Sequence, residues 1–143
     1  MKNENKKIIG FTCSAFDLIH AGHYLMLKEV RGQCDFLIVG LQLDPSVDRK
    51  NKNKPVQTLK ERKIQLGACK YIDKIMIYKT EKDLIQLLKK IKPDIRFIGE
   101  DWKGKNYTGK ELSIKVIFNS RNHNYSTTNL RKRIVDAYLK KQN

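Results

Sequence analysis

Phe36-Leu37-Ile38-Val39-Gly40-Leu41 is apolar at every position. A strand apolar on both faces must be covered on both faces, which is the environment of a parallel sheet between helices. Residues 7–12, 71–77, 95–98 and 114–118 are further runs of strand length. Helical patterns fall between them. One covers about 22–32; a second covers 59–69, after Thr58 with Glu61 in the capping-box position. A third follows Thr80 and Asp83, puts Leu84, Ile85, Leu87, Leu88 and Ile91 on its inner face, and is closed by Pro93. The last starts near Ser126 or Thr127 and runs through Leu130, Ile134, Ala137 and Tyr138. This alternation predicts a Rossmann-like α/β fold: a doubly wound, parallel, five-stranded sheet in a single domain over residues 1–143.

Ligands of such sheets bind beyond the carboxyl ends of the strands. After the first strand comes Cys13-Ser14-Ala15-Phe16-Asp17-Leu18-Ile19-His20-Ala21-Gly22-His23. Two histidines three apart sit where a strand hands over to a helix. The helix start offers free N–H groups and a positive dipole end, a phosphate site. Gly22 keeps a side chain off that backbone, and His20 and His23 can donate to phosphoryl oxygens. After the fourth strand comes Gly99-Glu100-Asp101-Trp102, and after the fifth comes Arg121-Asn122-His123-Asn124-Tyr125-Ser126-Thr127-Thr128. Ser126 and Thr127 can cap the last helix and make a second anion site. The ordinary alternatives are a pair of helix-start histidines, a turn with one packed aromatic, and a plain N-cap.

A net charge of +15, from 30 Lys+Arg against 15 Asp+Glu, points to an anionic partner. Part of the excess reads as compositional bias, because lysines also cover outer helix faces, at Lys82, Lys89 and Lys90. A nucleic-acid module would carry a basic stripe interleaved with stacking aromatics. Here the aromatics fall mostly in apolar strands and helix faces, so no nucleic-acid partner is expected. No apolar run reaches the roughly 18 residues of a membrane span, and Met1-Lys2-Asn3-Glu4-Asn5-Lys6 is too polar for a signal-peptide core. Cys13, Cys34 and Cys69 have no zinc-type spacing and read as reduced thiols. A cytoplasmic protein is expected.

His20-Ala21-Gly22-His23 resembles the HxGH signature of the nucleotidyltransferase superfamily. The wider run Ser14 to His23 resembles the G-T-F-D-L-x-H-x-G-H of its cytidylyltransferase branch. Arg121 through Thr128 resembles the R-T-E-G-I-S-T-T of glycerol-3-phosphate cytidylyltransferases, Gly99 to Trp102 their G-x-D-W, and Lys70-Tyr71-Ile72-Asp73 their R-Y-V-D. The four motifs lie in order over residues 7–135.

The resemblance implies attack by a substrate phosphate on the α-phosphorus of CTP, with glycerol 3-phosphate as acceptor, CDP-glycerol and pyrophosphate as products, and Mg²⁺ accompanying the triphosphate. It implies that His20 and His23 donate to the α- and β-phosphates as charge builds. Ser14, Ala15, Phe16, Asp17 and Gly22 would line the nucleotide, with Asp17 orienting the site or helping to hold Mg²⁺. Ser126, Thr127 and Thr128 would grip the β- and γ-phosphates, Arg121 would neutralise triphosphate charge, and Asp101 would meet the base. In the basic loop 45–57, Lys50 and Lys52 match lysines that meet substrate phosphate and nucleotide, with a register uncertainty that leaves Lys50, Lys52 and Lys54 open. Lys70 and Lys82 complete the substrate-binding set. The family commonly forms homodimers. Three departures stand out: Ser14-Ala15 for Gly-Thr, Lys70 for arginine, and Asn122-His123-Asn124-Tyr125 for T-E-G-I.

A second reading stays within the superfamily. Ser126-Thr127-Thr128-Asn129 and Leu66-Gly67-Ala68 are similar to heptose-phosphate adenylyltransferases, which use ATP. Arg121 favours CTP, because the adenylyl branch generally lacks arginine there.

Overall fold

The computed structural model describes residues 6–142. Five strands, β1 (Ile9–Ser14), β2 (Phe36–Gln42), β3 (Lys74–Tyr78), β4 (Ile95–Gly99) and β5 (Lys115–Asn119), form one sheet in the order β3-β2-β1-β4-β5. Every pairing is parallel. The helices are α1 (Ala21–Arg31), α2 (Leu59–Gly67), α3 (Glu81–Ile91) and α4 (Thr127–Gln142), with a single 3₁₀ turn at Glu100–Trp102. The expected Rossmann-like fold is the one observed.

Apolar side chains fill both faces. On one, Leu27 and Val30 of α1 and Leu66 of α2 pack with Leu37, Val39, Leu41 and Phe97. On the other, Leu84 and Leu88 of α3 pack with Phe11, Ile38 and Tyr78. That two-sided cover is why β2 tolerates no polar residue before Gln42. The helices start where their caps dictate. Thr58 and Glu61 form one reciprocal capping box, and Thr80 and Asp83 another. Lys92, at φ +49° ahead of Pro93, ends α3. Helix α4 departs from the pattern. Beyond Arg131 it is exposed along its length, including Ile134, Val135, Tyr138 and Leu139.

Strand boundaries sit slightly later in the chain than the apolar runs suggested, and β3 shows why. Tyr71, Ile72 and Asp73 form the turn into the strand. The Asp73 carboxylate accepts from the Leu37 amide at 2.8 Å and pairs with Arg31 at 2.9 Å. The device repeats. Asp35, just before β2, accepts from the Ile8 amide, and Asp94, just before β4, accepts from the Ile9 amide, both at 2.8 Å. An aspartate ahead of each of these strands satisfies an N–H at the amino edge of the neighbouring one.

At the opposite, carboxyl edge the loops are held by one side chain. Arg62 is 2% exposed. Its guanidinium donates to the carbonyls of Ala15, Gln42, Leu43 and Gln57, at 2.7–3.2 Å. It therefore joins the loop after β1, the end of β2 and the approach to α2. Replacing Arg62 by Met strands four carbonyls, and a clear loss of stability is expected, about 1–3 kcal/mol for each carbonyl that stays buried without a donor. Urea unfolding of the purified variant checks this; Arg62→Lys, with fewer donors, should recover only part of the loss.

Candidate active site

The segment that carries the histidines is strained and clamped. Phe16 and Leu18 have φ near +50°, the left-handed region that side chains disfavour. Phe16 is buried in the core. The Asp17 carboxylate accepts from the amides of Val56 and Gln57, each at 2.9 Å, and the Leu18 amide donates to the Gln57 side chain at 2.8 Å. Packing and hydrogen bonds thus hold a backbone path that local preference would not choose. It delivers His20 in extended geometry to the N-cap of α1.

There the two histidines form a capping box with each other. Nδ1 of His20 accepts from the Gly22 amide at 3.0 Å, and Nδ1 of His23 accepts from the His20 amide at 3.1 Å. Both acceptor nitrogens must be unprotonated, so each neutral ring carries its proton on Nε2. Nε2 of His20 lies 3.2 Å from the Thr127 hydroxyl, at the start of α4. The ring centroids are 4.0 Å apart. Burial pushes the His20 pKa down, with electrostatic repulsion from the neighbouring His123 and Arg121 adding to the effect. Burial likewise lowers His23, to about 4, with His20 and Arg121 adding to the effect and Asp17 opposing it. At neutral pH the pair is therefore two uncharged, pre-aimed donors.

Gly22 has a second reason beyond anion access. A Cβ there would lie 2.8 Å from His20 Cε1 and 2.9 Å from His123 Cε1. His123 completes the cluster. Its Nδ1 accepts from the Tyr125 amide. His20, Gly22, His23, His123, Ser126 and Thr127 surround a cavity of about 190 Å³ between the N-termini of α1 and α4. Ser126 accepts from the Asn129 amide and caps α4, as expected. Ser14, Ala15, Phe16, Asp17 and His23 line a smaller space, closed by Arg131.

A larger cavity, about 560 Å³, opens beside this cluster at the carboxyl ends of the strands. Ser14, Ala15, Lys52, Asp101, Trp102 and Arg121 lie on its wall. Of the three lysines left open, it is Lys52 that lines it, with its ammonium 5.9 Å from the Trp102 ring across the cavity mouth.

Several expected site residues lie elsewhere. Lys70 belongs to the turn before β3, at the amino edge of a parallel sheet and so at the end opposite the site; its ammonium rests over the Tyr71 ring. Lys82 is on the exposed face of α3, whose first turn directs Glu81 and Leu84 to the cavity instead. Lys50 and Thr128 are exposed and outside the described cavities, which Arg49 and Lys52 of the same loop and Ser126 and Thr127 at the start of α4 line instead. Arg121 pairs with Asp101 at 2.8 Å, so the expected triphosphate cation and base-reading carboxylate hold each other. Asp17 is occupied as a loop clamp rather than as a metal ligand. Among the described residues no group of three His, Cys, Asp or Glu side chains is placed to hold a metal ion. His123, Arg131, Gln42, Arg49, Tyr78 and Glu81 were not legible as site residues. His123 lies within the Arg121–Thr128 motif, at a position where the similar pattern has no histidine. Only the sheet order and the loop clamps bring the others to the cavity.

Residues 11–133 match the cytidylyltransferase-like family model. The bifunctional protein HldE of Campylobacter concisus is 36% identical over 138 residues, which is 96% of this chain and 29% of that protein. HldE of Helicobacter hepaticus is 34% identical over 131 residues, 91% of this chain and 27% of that protein. The chain thus spans less than a third of these relatives. Among solved structures, a lipopolysaccharide core biosynthesis protein from Thermoplasma volcanium superposes with a TM-score of 0.65 at 25% identity, over 85% of this chain and all of that one. A pantoate-beta-alanine ligase from Francisella tularensis shares the fold, with a TM-score of 0.61 at 18% identity, over 89% of this chain and 66% of that one.

Two outcomes follow from this geometry. Because His23 is depressed to about 4 when folded but titrates near 6.5 when unfolded, the unfolded chain binds more protons between those values. The His23 contribution to stability is therefore complete above about pH 6.5 and is lost as pH falls toward 4. Thermal unfolding over that range should show Tm falling with pH, with a flatter slope in His23→Asn. Gly22→Ala should displace the His20 ring, leaving a folded protein in which the His20 NMR resonances move and nucleotide affinity drops about tenfold or more, the scale of one lost charge-assisted hydrogen bond; unchanged resonances would contradict the contact.

Proposed function

Since the chain belongs to the cytidylyltransferase-like family, we propose that it is a nucleotidyltransferase that transfers AMP from ATP to a sugar phosphate of the heptose-phosphate type. The observation that carries the reaction class is the histidine pair. Two imidazoles, each locked by a backbone amide on Nδ1, line one cavity between two helix N-termini, with Nε2 of His20 at the Thr127 hydroxyl. A triphosphate is the anion such a site suits best. An oxygen of the sugar phosphate attacks the α-phosphorus of ATP. The bond from that phosphorus to the bridging oxygen breaks, and pyrophosphate leaves with the electron pair. The nucleophile is already an anion, so no general base is required, and catalysis rests on positioning and on charge stabilisation. His20 and His23 donate to the α- and β-phosphates, Ser126, Thr127 and the start of α4 hold the terminal phosphates, and Lys52 adds positive charge at the cavity mouth.

The choice of ATP and a sugar phosphate is supported by the relatives. HldE, a heptose-phosphate adenylyltransferase, is matched along 96% of this chain. This supports the adenylyl reading better than CDP-glycerol formation, which the motif likeness had favoured. The argument from Arg121 loses its force once that residue is seen to pair with Asp101. Asn122-His123-Asn124-Tyr125, the stretch that departs most from the cytidylyl pattern, contributes His123 to the phosphate cluster. Mg²⁺ would come with the triphosphate and be held by its phosphate oxygens, since the Asp17 carboxylate is taken up by the Val56 and Gln57 amides. No helix among the described residues is long and apolar enough to cross a membrane, and a homodimer is part of the same proposal, with sedimentation as its check.

Pyrophosphate release with Mg²⁺, crossing ATP and CTP against sugar 1-phosphates and glycerol 3-phosphate, tests the reading. Turnover with ATP and a sugar phosphate is expected; turnover confined to CTP and glycerol 3-phosphate would overturn it. In the active pair, His20→Ala and His23→Ala should each cut kcat by roughly 10²–10³, the scale of one lost preorganised donor. Near-normal rates in both would remove the proposed role of the histidines.

A further inference from the structure

The phosphate cluster accounts for one end of the site, but the floor of the larger cavity has chemistry that no phosphate uses. Gln42, the last residue of β2, is 1% exposed and lies on that floor. Its Oε1 accepts from Arg49 Nη2 at 3.2 Å and from the Tyr78 hydroxyl at 3.5 Å. Because Arg49 can only donate, the amide orientation is determined, and the end left over is the Nε2 donor. That Nε2 is buried and has no hydrogen-bond partner. Glu81, in the first turn of α3, pairs through Oε1 with Arg49 at 2.9 Å. Its other oxygen, Oε2, is likewise buried and unpartnered. Both residues line the 560 Å³ cavity. A buried donor and a buried carboxylate oxygen left unpaired are each costly, so a ligand that satisfies both is favoured.

We infer that Gln42, Arg49 and Glu81 form the acceptor subsite and read hydroxyl groups of a polyhydroxylated, sugar-like substrate. A hydroxyl is the group that fits, because it accepts from an amide N–H and donates to a carboxylate. The position agrees. The histidines and the start of α4 take the triphosphate, and the wall carrying Asp101 and Trp102 lies across the cavity from β3 and α3. The acceptor is left the end under Gln42 and Tyr78, within the same cavity as Ser14 and Lys52. Arg49 touches both readers, its Nη2 donating to Gln42 Oε1 and its Nε pairing with Glu81 Oε1, which leaves the second polar atom of each without a partner. The inference deepens the proposed function and rests on it only for the end at which the acceptor phosphate sits.

Equilibrium binding of aldohexose and aldoheptose 1-phosphates, with cyclohexyl phosphate as the ring of similar size without hydroxyls, tests it on the full chain with a non-hydrolysable ATP analogue present. The native protein should bind at least one sugar phosphate about tenfold or more tightly than cyclohexyl phosphate, and Glu81→Gln should collapse that ratio. Gln42→Leu would strip partners from Arg49 and Tyr78 and endanger the fold, so Gln42→Glu is used: it keeps Oε1 and removes the one free donor. It too should collapse the ratio. A purely structural role would weaken all ligands together and leave the ratio intact, which would overturn the inference, as would a native protein that does not distinguish the sugars from cyclohexyl phosphate. Failure of the proposed reaction is read separately. Absence of pyrophosphate release with a preserved, variant-sensitive ratio would remove ATP-dependent transfer and keep the subsite.

Discussion

The site depends on a single buried guanidinium. Arg62 reaches from α2 under the carboxyl edge of the sheet and donates to carbonyls of Ala15, Gln42, Leu43 and Gln57. Loops leaving parallel strands carry backbone groups that the ladder no longer satisfies. At this edge water is largely excluded, and a planar side chain with five donors in a fixed fork meets several carbonyls at once where a lysine ammonium would meet fewer. Everything chemical hangs on the segments so joined. The Ala15 end leads to the strained turn and the histidines. The Gln42–Leu43 end presents the cavity floor. The Gln57 end holds the turn through Asp17 and Leu18.

Above that base, the histidines do two tasks with one arrangement. By capping α1 through their Nδ1 atoms they stabilise the helix start, and the same bonds put the proton of each ring on Nε2, which in His20 meets the Thr127 hydroxyl. Burial, with Arg121 close to both, keeps the rings neutral. A neutral pair avoids the cost of two adjacent buried charges in the absence of ligand. Under the proposed function, phosphate charge would meet oriented N–H groups that need not reorganise. The close packing of His20 and His123 on Gly22 explains the glycine between the histidines as firmly as anion access does.

Much of this was legible in the chain. The unbroken apolar run of β2, the threonine-led capping boxes of α2 and α3, and Pro93 behind α3 are local signals with local causes, and each element stands close to where those signals put it. The histidines, Ser126 and Thr127 were legible for the same reason: they lie at element junctions, and the topology of a parallel sheet sends those junctions to one edge. Lys70 was misjudged because a turn into a strand lies at the opposite edge from a turn out of one. Lys50, Lys82 and Thr128 lie outside the cavities because a matched motif specifies a neighbourhood, whereas the local turn or helix geometry decides which of its residues face inward.

The sequence by itself determined the sheet, the order of its helices and the strand–helix junctions that carry the histidines, Ser126 and Thr127, because hydrophobic period and helix capping act over a few residues. Tertiary structure alone decided which ionisable groups pair and which stay free. Arg121 met Asp101, Asp17 became a loop clamp, and Arg62 replaced the solvent of four carbonyls. It also left Gln42 and Glu81 each with one unsatisfied atom at the cavity floor. Such pairings are contests between partners brought together from distant parts of the chain, decided by angstrom-scale distances and by exclusion of water, and no local pattern of residues encodes them.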